Sequence, residues 1–229
     1  MIVDINQLVF TPAATLKTMF EVQAQFYQTM FKNELRLCRS YARLKRIGSC
    51  EQDKDDALLV MINPGSCRAM NSEAAVVQTS NRQQFQSNLK SLELADSYPD
   101  PAQYQLMRLM EIRNWKSIGI INLFDLVDAN SKDFFNQIQD SEPSIISLTH
   151  PWRSDELNFR ISKSNLVILG WGLNSVIARE AKLILNLLPN YYGVQIGENG
   201  FRYPSPYLKS KKLEWIFEIC KNLETSARL

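Results

Sequence analysis

One stretch constrains the fold more than any other: the uninterrupted apolar run from Ala57 to Ile62, which stops at Asn63-Pro64-Gly65. A short apolar run bounded by turn residues is typical of a strand that is buried on both faces. The strand ends there because proline cannot donate to a strand ladder and glycine permits a sharp turn. Ligands of open α/β sheets bind where strands end, so we expect Asn63 at the mouth of a cleft. The alternative is that Asn63 only closes a turn, because Asn-Pro is a frequent turn pair.

Three further apolar segments have the character of strands, and they alternate with segments of helical spacing. Predicted strands cover residues 117–122, 166–172 and 191–196, and predicted helices cover residues 102–113, 174–188 and 209–223. Strands that alternate with helices at these lengths indicate a parallel sheet. The sequence therefore predicts an α/β fold, a three-layer α/β/α sandwich around a central, mostly parallel four-stranded sheet.

The N-terminal part, residues 1–47, is predicted to add a helix and an edge strand to a single domain that spans residues 1–229. Thr11-Pro12 has the form of a helix start, and apolar residues then recur at helical spacing from Leu16 to Phe31. Residues 35–47 alternate apolar and basic side chains, which favours a half-exposed edge strand. The arginines of this strand either face phosphate groups or are simply solvated.

Composition restricts the class of protein. Apolar residues make up 45% of the chain and charged residues 22%, as in ordinary soluble globular proteins, and a net charge of +2 does not by itself indicate a nucleic-acid-binding protein. The 4 cysteines lack a C-x-x-C pair and there is 1 histidine, so we expect reduced thiols, no metal site and no cofactor in a cytoplasmic protein. The sequence shows neither a membrane-spanning stretch nor a signal-peptide pattern at its start.

Read in order, the ends of the predicted strands resemble the uracil-DNA glycosylase superfamily. Ile62 to Gly65 read I-N-P-G, like the first motif of its mismatch-specific and thymine-DNA glycosylase branch. Leu169 to Gly172 are similar to its strand that ends in Trp-Gly, and Tyr203-Pro204-Ser205-Pro206-Tyr207 looks like its late H-P-S-P-L motif. Roughly residues 40–210 are also similar to an uncharacterised bacterial domain family with N-P-S, N-L-F and W-G signatures.

This resemblance implies a uracil-DNA glycosylase-like fold and a set of site residues. Asn63 would orient the attacking water, and Asn122 would read one edge of the base. Tyr203 stands where uracil-specific members have a histidine that stabilises the departing base. Phe124 and Phe85 are candidates for stacking on the base, and each is also a candidate core residue. Phosphate contacts are expected from Gly65, Ser66, Ser205 and Lys209.

The implied reaction has clear chemical demands. The sugar becomes oxocarbenium-like while the base leaves as an anion, so the enzyme must position a water, supply donors to the base and extract the base from the stack. An asparagine can orient a water but is a poor base, which suits a reaction carried mainly by leaving-group stabilisation. We therefore expect a monomeric, monofunctional DNA glycosylase that flips and excises a modified or mismatched pyrimidine from double- or single-stranded DNA. The product is an abasic site.

The polar segment at residues 66–100 bears on the substrate. It is rich in asparagine and glutamine, and a pocket with this lining would suit a large polar base such as a hypermodified phage cytosine. The expected glycosylase would therefore act either in DNA repair or in defence against phages with modified DNA. The alternative is a non-catalytic or small-molecule-binding α/β domain that uses the same cleft for a nucleotide. A basic rim that includes Arg202, Lys209 and Lys211 would favour the glycosylase over this alternative.

The only histidine, His150, begins a sequence similar to the late family motif, but it precedes the Trp-Gly strand and therefore stands in the wrong order for that motif.

Overall fold

The computed structural model describes residues 5–71, 77–78, 93–139 and 144–226. Its helices are α1 (Ala13–Met19), α2 (Pro101–Arg113), α3 (Ser131–Ile138), α4 (Ser154–Ser162), α5 (Ala178–Leu187) and α6 (Lys209–Ser226). Its strands are β1 (Phe20–Phe31), β2 (Glu34–Arg46), β3 (Ala57–Met61), β4 (Arg68–Ala69), β5 (Val77–Gln78), β6 (Ala95–Tyr98), β7 (Ser117–Asn122), β8 (Val167–Leu169), β9 (Tyr192–Gly193), β10 (Gln195–Ile196) and β11 (Gly200–Phe201). None of the helices described is long and apolar enough to cross a membrane.

Nine strands form one mixed sheet in the order β4-β6-β1-β2-β7-β3-β8-β9, with β5 paired to β1. Strand β3 runs parallel to both β7 and β8, and β9 runs parallel to β8. Strands β1 and β2 form a long antiparallel hairpin, and β2 is also antiparallel to β7. The α/β class is confirmed. The observed sheet is larger than the expected four-stranded, mostly parallel sheet, because the β1–β2 hairpin extends it beyond β7 with antiparallel strands.

Helices cover both faces of this sheet. Along β3, Leu59 and Met61 enter a core shared with α2 and α6, whereas Leu58 and Val60 enter a second core shared with α3, α4 and α5. All residues of β3 are fully buried. The prediction that this strand is buried on both faces is therefore confirmed, and its continuous apolar sequence follows from having a core on each side.

The predicted long N-terminal helix is wrong. Helix α1 ends at Met19, and the chain continues as strand β1. Residues Phe20 and Phe26 enter the core that contains α2, and after a register shift at Gln25/Phe26 the side chains of Tyr27 and Phe31 enter the other core. From Phe20 to Phe26 apolar and polar residues alternate, which is a strand pattern that the helix prediction overlooked. From Tyr27 onward the apolar residues enter the other core, and the spacing of the two sets taken together imitates a helix.

The alternation of side chains predicted β2 as an edge strand, and this prediction is wrong. Strand β2 lies between β1 and β7, and a two-residue turn at Lys32 and Asn33, both with positive φ, connects it to β1. Its basic side chains are engaged inside the fold: Arg39 is fully buried and Arg43 pairs with Asp55 at 2.9 Å. These two arginines therefore do not form a solvated basic face.

Candidate functional site

Asn63 lies just past the carboxyl end of β3 and is half-buried. Its Nδ2 donates to the main-chain carbonyl of Asp128, 2.8 Å away in the loop after β7. This contact fixes the orientation of the amide, and its Oδ1 makes no hydrogen bond with the residues that the structure describes. A fixed amide oxygen without a protein donor is suited to accept a hydrogen bond from a bound water.

Asn122, the last residue of β7, is fully buried. With its amide oriented to satisfy both neighbours, Oδ1 accepts from Arg39 Nη2 at 3.1 Å and Nδ2 donates to the main-chain carbonyl of Asn63 at 3.1 Å. Both ends of the amide are thus used inside the protein. In this arrangement Asn122 supports the turn that carries Asn63, and it does not present the open base-reading amide that the sequence had suggested.

Arg39 brings a buried positive charge to the same strand end. Its side chain is inaccessible to solvent, its Nη1 lies 3.5 Å from the carbonyl of Pro64, and its Nε has no hydrogen-bond partner. No ion pair links it to a carboxylate of the described residues. Burial of a guanidinium without an ion-paired carboxylate costs free energy, and the charge of Arg39 acts on the carboxyl group of Asp100.

Asp100 closes the site from the side of α2. Its carboxylate accepts from the Gln103 N–H at 2.8 Å, and the Gln103 side chain accepts from the Asp100 N–H at 2.9 Å, which forms a capping box. Gly65, with φ +61°, approaches so closely that an added Cβ would lie 3.0 Å from Asp100 Oδ2. Burial raises the pKa of Asp100, against the opposing charge of Arg39. A buried carboxyl group with a raised pKa next to Gly65 and Arg39 is a candidate acid–base group.

The loop before α6 reaches this edge as well. Pro204 packs on Gly170, at the end of β8, where an added Cβ would lie 3.0 Å from Pro204 Cδ. Burial and the negative charge of Asp100 raise the pKa of Tyr203, although 36% of the residue is exposed. Tyr203 therefore keeps its proton and remains a hydrogen-bond donor at neutral pH. The Oγ of Ser205 is buried and has no hydrogen-bond partner in the described part of the chain.

The aromatic residues expected to stack on a base are placed differently. Phe124 is 4% exposed, and its ring packs edge-to-face on Phe134 with the ring centres 5.9 Å apart, so it is a core residue. Phe85 lies outside the described residues. His150 caps a short 3-10 turn, where its Nδ1 accepts from the Trp152 N–H at 3.3 Å.

The expected phosphate-binding residues lie on two loops at this edge. Gly65 and Ser66 form the turn after β3, and Ser66 is exposed. Lys209 is exposed at the start of α6, with its Nζ 5.1 Å from the centre of the Phe10 ring. The structure thus brings Asn63, Gly65, Tyr203 and Ser205 to the carboxyl ends of β3 and β8.

The expected basic rim is partly neutralised. Glu214 on α6 accepts from Arg202 Nη1 at 2.8 Å and from Lys211 Nζ at 2.6 Å. The loop that precedes α6 instead exposes large side chains: Tyr207 is 97% exposed and Leu208 is 57% exposed.

Sequence reasoning missed two members of the site. Asp100 stands in Tyr98-Pro99-Asp100-Pro101, a group of residues typical of a turn. The order Asp, Pro, and then Gln three residues after the Asp, ahead of an apolar helix, is a capping-box signal that identifies it. Nothing in the sequence distinguishes Arg39 from the other arginines of β2, because its burial depends on β1, β7 and the turn after β3.

No protein-family model, no curated protein and no solved structure matches this chain. Function has to be inferred from the groups that meet at the end of β3. These are a fixed amide oxygen on Asn63, a protonated phenol on Tyr203, a buried cation on Arg39 and a buried carboxyl group on Asp100. Together they can hold a water and stabilise negative charge beside it.

Proposed function

We propose that this protein is a DNA glycosylase with a uracil-DNA glycosylase-like fold, which flips a modified or mismatched pyrimidine out of DNA and hydrolyses its N-glycosidic bond. The observation that carries the proposal is the geometry of Asn63. Its amide is held by the Asp128 carbonyl at 2.8 Å, and its Oδ1 remains available. An oriented acceptor of this kind positions a water for attack on an oxocarbenium-like sugar, which needs little activation of the water.

The same reaction requires stabilisation of the departing base. Tyr203 occupies the motif position of the histidine in uracil-specific members, and its phenol, like that of any tyrosine at neutral pH, is protonated and can donate a hydrogen bond. Arg39 adds positive potential from a fully buried position, where charges interact more strongly than in water. The two groups together supply the donor and the charge that a leaving pyrimidine anion needs.

Extraction of a base also requires a side chain that fills the gap left in the stack. Tyr207 is 97% exposed and Leu208 is 57% exposed, so neither has a large packing role in the fold. Both belong to the loop that carries Tyr203 and Ser205 to the site. We assign Tyr207 the role of the wedge that enters the DNA stack.

The substrate class follows from composition. Residues 66–100 are rich in amides and lie next in sequence to the Asn63 turn, although most of residues 72–92 are outside the described part of the chain. An amide-lined pocket suits a large, polar base. We therefore include hypermodified phage cytosine among the substrates, which would make the protein an antiviral defence enzyme.

The decisive experiment compares DNAs that differ only in one base. The protein is incubated with duplex and single-stranded DNA that contains uracil, a G·T mismatch or hypermodified phage cytosine, and the DNA is then treated with alkali. We expect strand breaks at the altered base after alkali treatment, and none before it, because a monofunctional glycosylase leaves an intact backbone. Asn158→Ala, which changes an exposed amide on α4, should retain this activity. Absence of alkali-labile sites in every DNA would overturn the proposal.

A further inference from the structure

A cavity of about 330 Å³ lies near the amino end of β3, whereas Asn63 lies at the carboxyl end of the same strand. Its lining includes Asp55, which precedes β3, whereas Asn63 follows β3. A strand advances roughly 3.3 Å per residue, so the cavity is on the order of 20 Å from Asn63 and separate from the site described above. This volume is within the range of small-molecule sites.

The lining of the cavity has an excess of positive charge. It contains the three cations Arg43, Arg160 and Lys163 and the two carboxylates Asp53 and Asp55. Arg43 is neutralised, with its Nε 2.9 Å from Asp55 Oδ1 and its Nη1 3.1 Å from a glutamate outside the lining. Arg160 and Lys163 form no ion pair with a carboxylate in the described ranges. The cavity therefore favours an anionic ligand.

Two buried polar atoms of the lining residues lack partners among the described residues. They are the donor Nε of Arg160 and the acceptor Oε1 of Gln52. The rest of the Arg160 guanidinium is held firmly, since Nη2 donates to Gln25 Oε1 at 2.8 Å and the group stacks 3.7 Å from the centre of the Tyr41 ring. Unpaired buried donors and acceptors are costly, so the polar groups beside the cavity are only partly satisfied by the fold.

An aromatic ring lies beside these polar groups. Phe159 is 51% exposed, and its ring centre is 5.6 Å from the Arg160 guanidinium. An exposed ring next to an anchored guanidinium offers a stacking surface for a flat ligand and a cation for its anionic substituent. We propose that this cavity binds a small planar ring compound with an anionic group, of the nucleoside monophosphate class. Its ring stacks on Phe159, and its phosphate meets Arg160 and Lys163.

Isothermal titration with adenosine 5′-monophosphate, adenosine and inorganic phosphate tests this proposal. The monophosphate should bind saturably at one site, and adenosine and phosphate should each bind at least about tenfold more weakly because each lacks one of the two recognised parts. Phe159→Ala and Lys163→Gln alter exposed side chains, so the fold should persist while affinity for the monophosphate falls by about fivefold to tenfold.

Lys182→Gln is the matched control, because Lys182 is an exposed lysine on α5 outside the cavity lining. This variant should bind the monophosphate as the wild type does. Any of three results would overturn the proposal: no saturable binding of the monophosphate, equal binding of adenosine or phosphate, or unchanged affinity in both Phe159→Ala and Lys163→Gln.

Discussion

The side-chain amide of Asn122 donates to the main-chain carbonyl of Asn63 at 3.1 Å and so ties together the ends of two neighbouring parallel strands. The same amide accepts from Arg39, which is buried beneath the turn. The two asparagines that follow the apolar runs of β3 and β7 therefore have different surroundings. Asn63 keeps an available amide oxygen at the carboxyl end of β3, whereas both ends of the Asn122 amide are used to hold the turn that carries Asn63.

Replacement of Asn63 by alanine should remove base release while the fold and DNA binding persist. The residue follows the buried strand, so its truncation leaves no core cavity, and we expect a stability change of about 1 kcal/mol or less. Its proposed interaction with water acts in the transition state, so single-turnover abasic-site formation should slow by about 100-fold or more, with an unchanged DNA-binding titration. Wild-type cleavage by this variant would exclude Asn63 from the mechanism, and equal losses of rate and binding would make it only a turn residue.

Replacement of Asn122 by alanine should mainly destabilise the protein. It leaves the Asn63 carbonyl and one nitrogen of Arg39 without their buried partner, which should lower the free energy of unfolding by about 1–3 kcal/mol. Urea denaturation measures this loss, with Asn158→Ala as the exposed amide control, for which a change within about 0.5 kcal/mol is expected. If Asn122→Ala is as stable as the control but loses discrimination between bases, Asn122 reads the base as the family resemblance implies.

Gly65→Ala should destabilise the protein more than Gly48→Ala. Both glycines have left-handed backbone angles, φ +61° and φ +76°, so each alanine adds strain of about 1 kcal/mol. Only at Gly65 would the new Cβ meet another group, at 3.0 Å from Asp100 Oδ2, whereas Gly48 has nothing within 4 Å. The difference between the two urea midpoints, at equal slopes, isolates the contact with Asp100. Equal losses of unfolding free energy in the two variants would show that the Asp100 carboxylate moves away from the new Cβ without destabilising the protein.

Asp100 should make stability depend on pH. Burial raises its pKa in the folded protein above the ordinary value of 3.8, so the folded state holds this proton more tightly than the unfolded chain. The stability that this group contributes is therefore greatest below the ordinary pKa and is lost as the pH rises through the raised pKa.

Asp100→Asn tests this dependence, because asparagine can still cap α2 but cannot ionise. As the pH rises above the ordinary pKa of 3.8, the unfolding free energy of the variant should decline less than that of the wild type, as measured by urea denaturation at a series of pH values. Parallel pH profiles for the two proteins would contradict the raised pKa.

Tyr207→Ala should distinguish duplex from single-stranded substrate. Loss of a stacking side chain removes about 1–3 kcal/mol of interaction with bases, so base release from duplex DNA should fall by about tenfold. Release from single-stranded DNA needs no wedge and should be unchanged. Tyr207→Phe keeps the ring and serves as the matched control. A similar fall on both substrates, or no fall on duplex DNA, would exclude a wedge role.

Several features of this protein follow from local sequence alone. The run from Ala57 to Ile62 and its stop at Pro64-Gly65 determined a doubly buried strand, because a continuous apolar run needs a core on both faces and proline and glycine end it. The strand at 117–122 was predicted with its observed bounds, and the helix at 102–113 to within one residue. Apolar runs, helical spacing and turn residues act over a few positions, so they can be recognised without the rest of the fold.

Only the tertiary structure decided the place of the β1–β2 hairpin and the composition of the site. The first half of β1 alternates as a strand does, but from Tyr27 its apolar residues face a second core formed by residues distant in sequence, and the combined spacing resembles a helix. The burial of Arg39 likewise depends on Pro64 and Asn122, which are far from it along the chain. Whether an arginine is solvated or buried, and whether an asparagine faces a cleft or a neighbouring turn, is set by packing between elements, which local sequence does not encode.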